Sequence, residues 1–129
     1  MGFTISRWQE SSILMITRSG PSDLAESDAV MEALGRQDLV ARIHDIRFDL
    51  CDLQYIPSAD DARHISRRHA AFSAEHQSRF AYFAPTGAPY GIARMVEMLS
   101  ETLGGMAAVF ATVDAAIQWL EGHSEANCA

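Results

Sequence analysis

The chain has 129 residues, 48% of them apolar, with a formal net charge of -7; this size and composition fit one domain around one core, and the acidity disfavours nucleic acid or an anionic membrane surface as partner. No stretch approaches the roughly 18 consecutive apolar residues of a membrane span, and the opening MGFTISRWQE lacks the basic-then-apolar order of a secretory signal, so a cytoplasmic protein is expected. The two cysteines form neither a CxxC pair nor a disulfide framework; Cys51, in the apolar-rich run IRFDLCDL, reads as a small core residue and Cys128 as an incidental thiol in a polar tail.

In chain order, FTISRW and ILMITR are short and rich in β-branched or aromatic residues, and the polar QESS between them marks a hairpin. Gly20-Pro21 reads as a turn and Ser22-Asp23 as a cap, followed by a helix with Leu24, Met31 and Leu34 on one face and a stop at Gly35. Residues 38 to 45 fit either a helical turn or an extended connector. Alternation of Ile46, Phe48 and Leu50 with Arg47, Asp49 and Cys51 predicts a strand, and a helix starts at Pro57-Ser58 and runs without Gly or Pro through Gln77. On that helix Ala62, Ile65, His69, Phe72 and His76 share one face, while Arg63, Arg67 and Arg68 lie off it.

FAYFAP is a further strand, TGAPYG a turn, and Ile92, Val96, Leu99 and Leu103 mark a helix ending at Gly104-Gly105. MAAVFA reads as a strand buried on both faces, and Thr112 as the N-cap of a last helix carrying Val113, Ile117 and Leu120 and stopping at Gly122. The expected architecture is a single α/β domain over residues 1–122, with a mixed sheet of about five strands, mostly parallel, helices packed on it and an antiparallel opening hairpin; residues 123–129 form a polar tail.

The run IRFDLCDLQYIPSADD, residues 46–61, resembles the segment of STAS domains in which a strand and loop of the type DLS-x-V-x-x-I-D-S lead into a helix, matching at Asp49, Leu50, Leu53, Ile56 and Ser58. APYGIARM and VFATVDAAIQWL resemble the closing part of SpoIIAA-like bacterial proteins at Tyr90, Gly91, Ala93, Arg94, Val109, Phe110, Ala116, Trp119 and Leu120. The resemblance implies a SpoIIAA-like fold, related in shape to CRAL-TRIO lipid-transfer domains, and a regulatory module whose serine, at the place of Ser58, is a phosphorylation switch recognised by a kinase or an anti-sigma factor. The chain differs from the pattern at Pro57, where the family has Asp, and at Ala59-Asp60, where a small residue and Gly usually follow.

Ser58 stands directly before its helix, where a hydroxyl satisfies a free backbone N–H, and this cap role outweighs the phosphoswitch. Thr86, Gly87 and Tyr90, in the loop after FAYFAP, belong with Ser58 at the carboxyl edge of the parallel strands, where open α/β sheets bind ligands; together they are the candidate ligand or partner site, with ordinary turn chemistry the simpler reading of the loop. His69 and His76 are two turns apart, too far for the usual paired metal ligands, and read as buried or edge histidines. Arg63, Arg67 and Arg68 read as a solvated face neutralised by Asp60, Asp61 and Glu75, with a small anion or partner patch as the alternative.

No nucleophile elbow, Gly-rich phosphate loop, metal motif or cofactor motif stands out. The first functional expectation is therefore a non-catalytic binding or regulatory module with a protein partner. A carrier of a small apolar or anionic ligand, such as a lipid, comes second, and a hydrolase or isomerase built on Ser58 and a histidine third. A homodimer through Trp8, Met15 or Met95 is a further possibility.

Overall fold

The computed structural model of the protein describes residues 2–7, 13–36, 45–84, 88–112 and 114–120, and of residues 7, 88–90 and 92 the backbone alone. Strands β1 (Phe3–Arg7) and β2 (Ile13–Pro21) pair antiparallel, and β3 (Asp45–Gln54), β4 (Arg79–Phe83) and β5 (Met106–Phe110) follow in parallel, in the order β1-β2-β3-β4-β5. The three parallel crossovers carry helices α1 (Leu24–Gly35), α2 (Ala59–His76) and α3 (Ala88–Thr102), and a fourth helix, α4, occupies 114–120. The mixed α/β sheet with helices packed on it is thus the architecture that the strand and helix periodicities imply.

Each helix starts where local chemistry allows. Asp23 caps α1 by accepting the Glu26 N–H at 2.9 Å, and the Thr112 hydroxyl accepts the Ala115 N–H at 3.2 Å at the start of α4. Helix α2 ends at Gln77, whose φ of 53° puts it in the left-handed cap conformation. No helix of the described residues is long and apolar enough to cross a membrane.

The main core lies on one face of the sheet, where Leu14, Ile16, Ile46, Phe48, Phe80 and Tyr82 meet Val30 and Leu34 of α1, Ile65 and Phe72 of α2, and Val96 of α3. Helix α4 covers the other face, with Ala116 and Leu120 against Ile13 and Ala81. Both faces of the central strand β3 are therefore covered, and Asp45 and Arg47 on its polar parity are buried with Ile46 and Phe48. Asp45 accepts the Arg79 N–H at 2.9 Å.

Four sequence expectations need correction. Gly20-Pro21 is the end of β2 rather than a turn, because the pairing with β3 continues to Pro21 and Gln54, with Gly20 at a φ of 71° that glycine tolerates. The APYG part of TGAPYG is already the first turn of α3, where Pro89 loses no helical hydrogen bond; residues 85–87 lie outside the described set. Among the described residues strand β5 is an edge strand, paired only with β4 and mostly half-exposed, since an apolar run by itself does not tell a central strand from an edge. Cys51 is exposed, for a reason that belongs to the site below. Residues 37–44, Trp8, Val113, Gly122 and the tail fall outside the described residues.

The edge strand is tied down by buried polar groups. Glu97 of α3 accepts the Val109 N–H at 2.6 Å, and Ser73 of α2 accepts the Met106 N–H at 3.0 Å while donating to the Ser78 carbonyl at 2.6 Å. At the centre, the Phe48 ring lies 5.0 Å from His69, 5.2 Å from Tyr82 and 5.4 Å from Phe80. Truncation of such a ring leaves a cavity that neighbours on two layers cannot fill, so Phe48→Ala should cost about 3–5 kcal/mol in a denaturant unfolding titration.

Candidate functional site

The carboxyl edge of the sheet is shaped by an irregularity in β3. Thr17 of β2 pairs with Asp49, but Ser19 pairs with Asp52, so β3 gains one residue and its inward and outward sides exchange. Leu50, before the exchange, and Leu53 and Tyr55, after it, all line one cavity under the helices. Cys51 and Asp52 are turned outward, which is why Cys51 leaves the core. A hydrogen bond to Asp49, aided by partial burial and the charge of Asp52, pushes the Cys51 thiol up to about 11, so it stays protonated and unreactive at neutral pH.

The chain then alternates into α2: Tyr55 half-buried, Ile56 70% exposed, Pro57 buried, Ser58 exposed. Ser58 is extended, and its Oγ accepts the Asp61 N–H at 3.1 Å, the cap role read from the sequence. Asp60 and Asp61 fill the first turn, where carboxylates suit the helix dipole. Asp61 also accepts from the Tyr55 hydroxyl at 3.2 Å; burial first, and then the Asp61 charge, push that phenol up to about 12. Tyr90 lies in the first turn of α3, which follows β4 as α2 follows β3, so its backbone is at the same end of the sheet as Ser58. Thr86 and Gly87 lie outside the described residues.

Beneath this edge is a cavity of about 50 Å³. Its wall is largely apolar, with Phe48, Leu50, Leu53, Ile65 and Val96, and Arg18, Tyr55, His69 and Tyr82 supply the polar groups. The His69 Nδ1 lies 2.6 Å from the Tyr82 hydroxyl. Burial, with the nearby positive charges of Arg18 and Arg68 adding to it, pulls the His69 pKa down to about 3, and burial pushes the Tyr82 phenol up, so both are neutral at physiological pH. Arg18 donates to Ser27 at 3.2 Å and to Ser22 at 2.7 Å and lies 3.5 Å from Glu26. Glu26, although desolvation opposes it, is held below the usual carboxylate range by bonds from Ser22 and the Gly2 N–H and by Arg18.

The sequence reading missed Arg18 and Tyr82. A signal existed: Leu14 and Ile16 set the inward parity of β2, and Arg18 continues it. His69 is a buried core histidine and His76, half-buried, packs on Phe72 at 4.2 Å. His64 pairs with Asp28 of α1 at 2.8 Å, and Arg68 with the same carboxylate at 3.1 Å, while Arg63 pairs with Asp60. The arginine face is thus neutralised partly from its own helix and partly from α1; Glu75 pairs instead with His76 at 4.0 Å. Among the described residues no cluster of His, Cys, Asp or Glu could hold a metal ion. Met15 and Met95 are partly buried.

No protein-family profile matches the sequence, and no characterised protein matches it in sequence. Solved structures do match in fold. An anti-sigma factor antagonist from Mycobacterium paratuberculosis superposes with a TM-score of 0.63 over 92% of this chain and 92% of its own, at 17% identity. A protein of the DUF3478 family with a SpoIIAA-like fold, from Shewanella loihica PV-4, gives a TM-score of 0.57 over 92% and 91%, also at 17% identity. The fold of the chain is SpoIIAA-like, that of the STAS group.

Two outcomes follow from the cap and from the buried histidine. Ser58→Ala should lower stability by about 1 kcal/mol in thermal or denaturant melts, and Ser58→Asp should retain most of it, because aspartate caps as well as serine. His69 in the folded state takes up its proton only below about pH 3, far under the ordinary imidazole value of 6.5. Between these values the unfolded chain binds the extra proton, so stability falls as pH is lowered through this window, by up to about 1.4 kcal/mol per pH unit, and is unaffected by this group above it. His69→Gln should flatten that part of the profile in urea titrations run from pH 7 to pH 4.

Proposed function

We propose that the protein is a non-catalytic regulatory module that docks a protein partner at the carboxyl edge of its sheet, through Ile56, Ser58 and the acidic residues around them. The observation that carries this reading is Ile56. A large apolar side chain 70% exposed, in a segment that also exposes Cys51, Asp52, Ser58 and Asp60, is an anchor of the kind that seats in a partner's pocket. The structural likeness to an anti-sigma factor antagonist supports a regulatory role.

The chemistry of the surface defines the partner: an apolar pocket for Ile56 rimmed by basic groups that meet Asp52 and Asp60. Ser58 serves this surface as the cap that holds the start of α2 in place. A phosphate on it would add about -1.5 to -2 charges beside Asp60 and Asp61 and act by repulsion. A lipid carrier is favoured less, because a 50 Å³ cavity is smaller than the ~150 Å³ space that takes up a benzene ring.

The test is partner capture from a lysate of the natural host. Ile56→Arg should weaken capture at least tenfold with an unchanged melting temperature, whereas Met98→Arg, at a methionine on α3 that is 60% exposed, should leave it intact. Loss of capture with Met98→Arg and not with Ile56→Arg would place the interface elsewhere.

A further inference from the structure

Helix α3 has more apolar surface than the core uses. Ala93, Val96, Glu97 and Ser100 form its buried side, and the side opposite them carries Arg94, Met95, Met98, Glu101 and Thr102. Met98, at the centre, is 60% exposed, with partly buried Met95 one turn before it. Toward α2 the apolar surface continues through Leu99 and exposed Leu103 into a shallow groove whose other wall is Arg63, held by Asp60, and Arg67. Met98, Leu103 and nearby Met106 are three of the four large apolar side chains exposed among the described residues; the fourth, Ile56, belongs to the carboxyl edge. Such a concentration marks a contact surface.

The charges on this face are ordered. Arg94, Met98 and Glu101 follow one another at intervals of four and three residues, which places them in one row about 10 Å long. Arg94 donates to Glu97, and Glu97 accepts the Val109 N–H at 2.6 Å, so the guanidinium is anchored. It has further N–H donors, and its side chain is 49% exposed. At the other end of the row Glu101 is exposed and makes no ion pair among the described residues. The Thr102 hydroxyl donates to the Met98 carbonyl at 3.0 Å and adds no unmet donor to the face.

We propose that this face joins two copies of the chain, with α3 packed antiparallel on α3 of the second copy, Met98 near the two-fold axis, and each Arg94 meeting the Glu101 of the other copy. A row that reads cation, apolar, anion is its own complement when reversed, and a two-fold interface requires the same patch on both copies. The acidic edge around Ile56 fails that requirement, because like charges would face each other. Two chains of net charge -7 repel, so the two crossed pairs supply the opposing attraction and fix the register. Contact between single helices is small, and the association is accordingly weak and reversible. The surface shares no residue with the Ile56 edge and needs only the purified chain.

The experiment is sedimentation velocity on the full chain from about 10 μM to about 1 mM, with melting temperatures recorded for every variant. A reversible monomer–dimer equilibrium is expected, with a dissociation constant on the order of 100 μM. Met98→Arg should weaken it at least tenfold. Arg94→Glu and Glu101→Arg should each weaken it as much when alone, whereas an equal mixture of the two should dimerise as the unaltered chain does, since both crossed pairs are then restored with their charges exchanged. Met98→Arg and Glu101→Arg replace exposed side chains and keep the fold, so the test stands even where Arg94→Glu, beside Glu97, lowers the melting temperature. An unaltered chain that stays monomeric throughout would leave the face to a foreign partner and overturn the proposal. A dimer undiminished by Met98→Arg, or a mixture of two folded variants as monomeric as its components, would overturn it as well. None of these results bears on Ile56 docking, so the two proposals fail separately.

Discussion

The contact on which the rest of the structure depends is the stacking of His69 on Phe48, ring centroids 5.0 Å apart and planes 18° apart, with Tyr82 hydrogen-bonded to the imidazole from the next strand. It joins the middle of α2 to the two central strands at once. A ring nitrogen buried in this core is tolerated only because the phenol meets it, and the pair acts as a directional lock where an aliphatic contact would slide. Farther along α2, Phe72 lies 5.8 Å from Phe80, and Ser73 holds the start of β5. With its middle and its last turns fixed, the helix has one place for its first turn, above the end of β3.

That first turn meets a strand whose phase has just been exchanged. Because the extra residue in β3 falls before its last three pairs with β2, one stretch of backbone presents Leu50, Leu53 and Tyr55 inward and Cys51, Asp52 and Ile56 outward. A regular strand of the same sequence would place Leu50 and Leu53 on opposite faces. The cavity wall and the outer edge are therefore two sides of one segment, closed by the Ser58 cap and the Tyr55–Asp61 bond. Arg18 reaches this region from β2, and its neutralising partners come from the start of α1. Polar groups from three elements thus converge at the carboxyl edge, the end of an open α/β sheet where sites form.

The parts of this account legible in the sequence are those governed by local rules. The bounds of α2 follow from Ser58 and Gln77, its buried face from the spacing of Ile65, His69 and Phe72, and the caps at Asp23 and Thr112 from their side chains. The opening hairpin and the parallel remainder follow from element order. What was not legible depends on pairing between distant segments. The exchange in β3 exists only relative to β2, so Cys51 read as core. The edge position of β5 depends on sheet order, and the Asp28 partner of His64 and Arg68 arrives from another helix. Arg18 was half legible: its parity pointed inward, but the Ser22, Glu26 and Ser27 that receive it become neighbours only when α1 turns back over the sheet.

The central claim is that the segment from β3 into the first turn of α2 is the working surface of this fold. Hydrogen–deuterium exchange on the protein, alone and in complex with the partner it captures, measures it directly. The account predicts added protection concentrated at residues 52–62, around Ile56 and Ser58, with the amides of β1 and α4 unchanged. Protection confined to β1 or α4, with residues 52–62 exchanging as in the free protein, would contradict it.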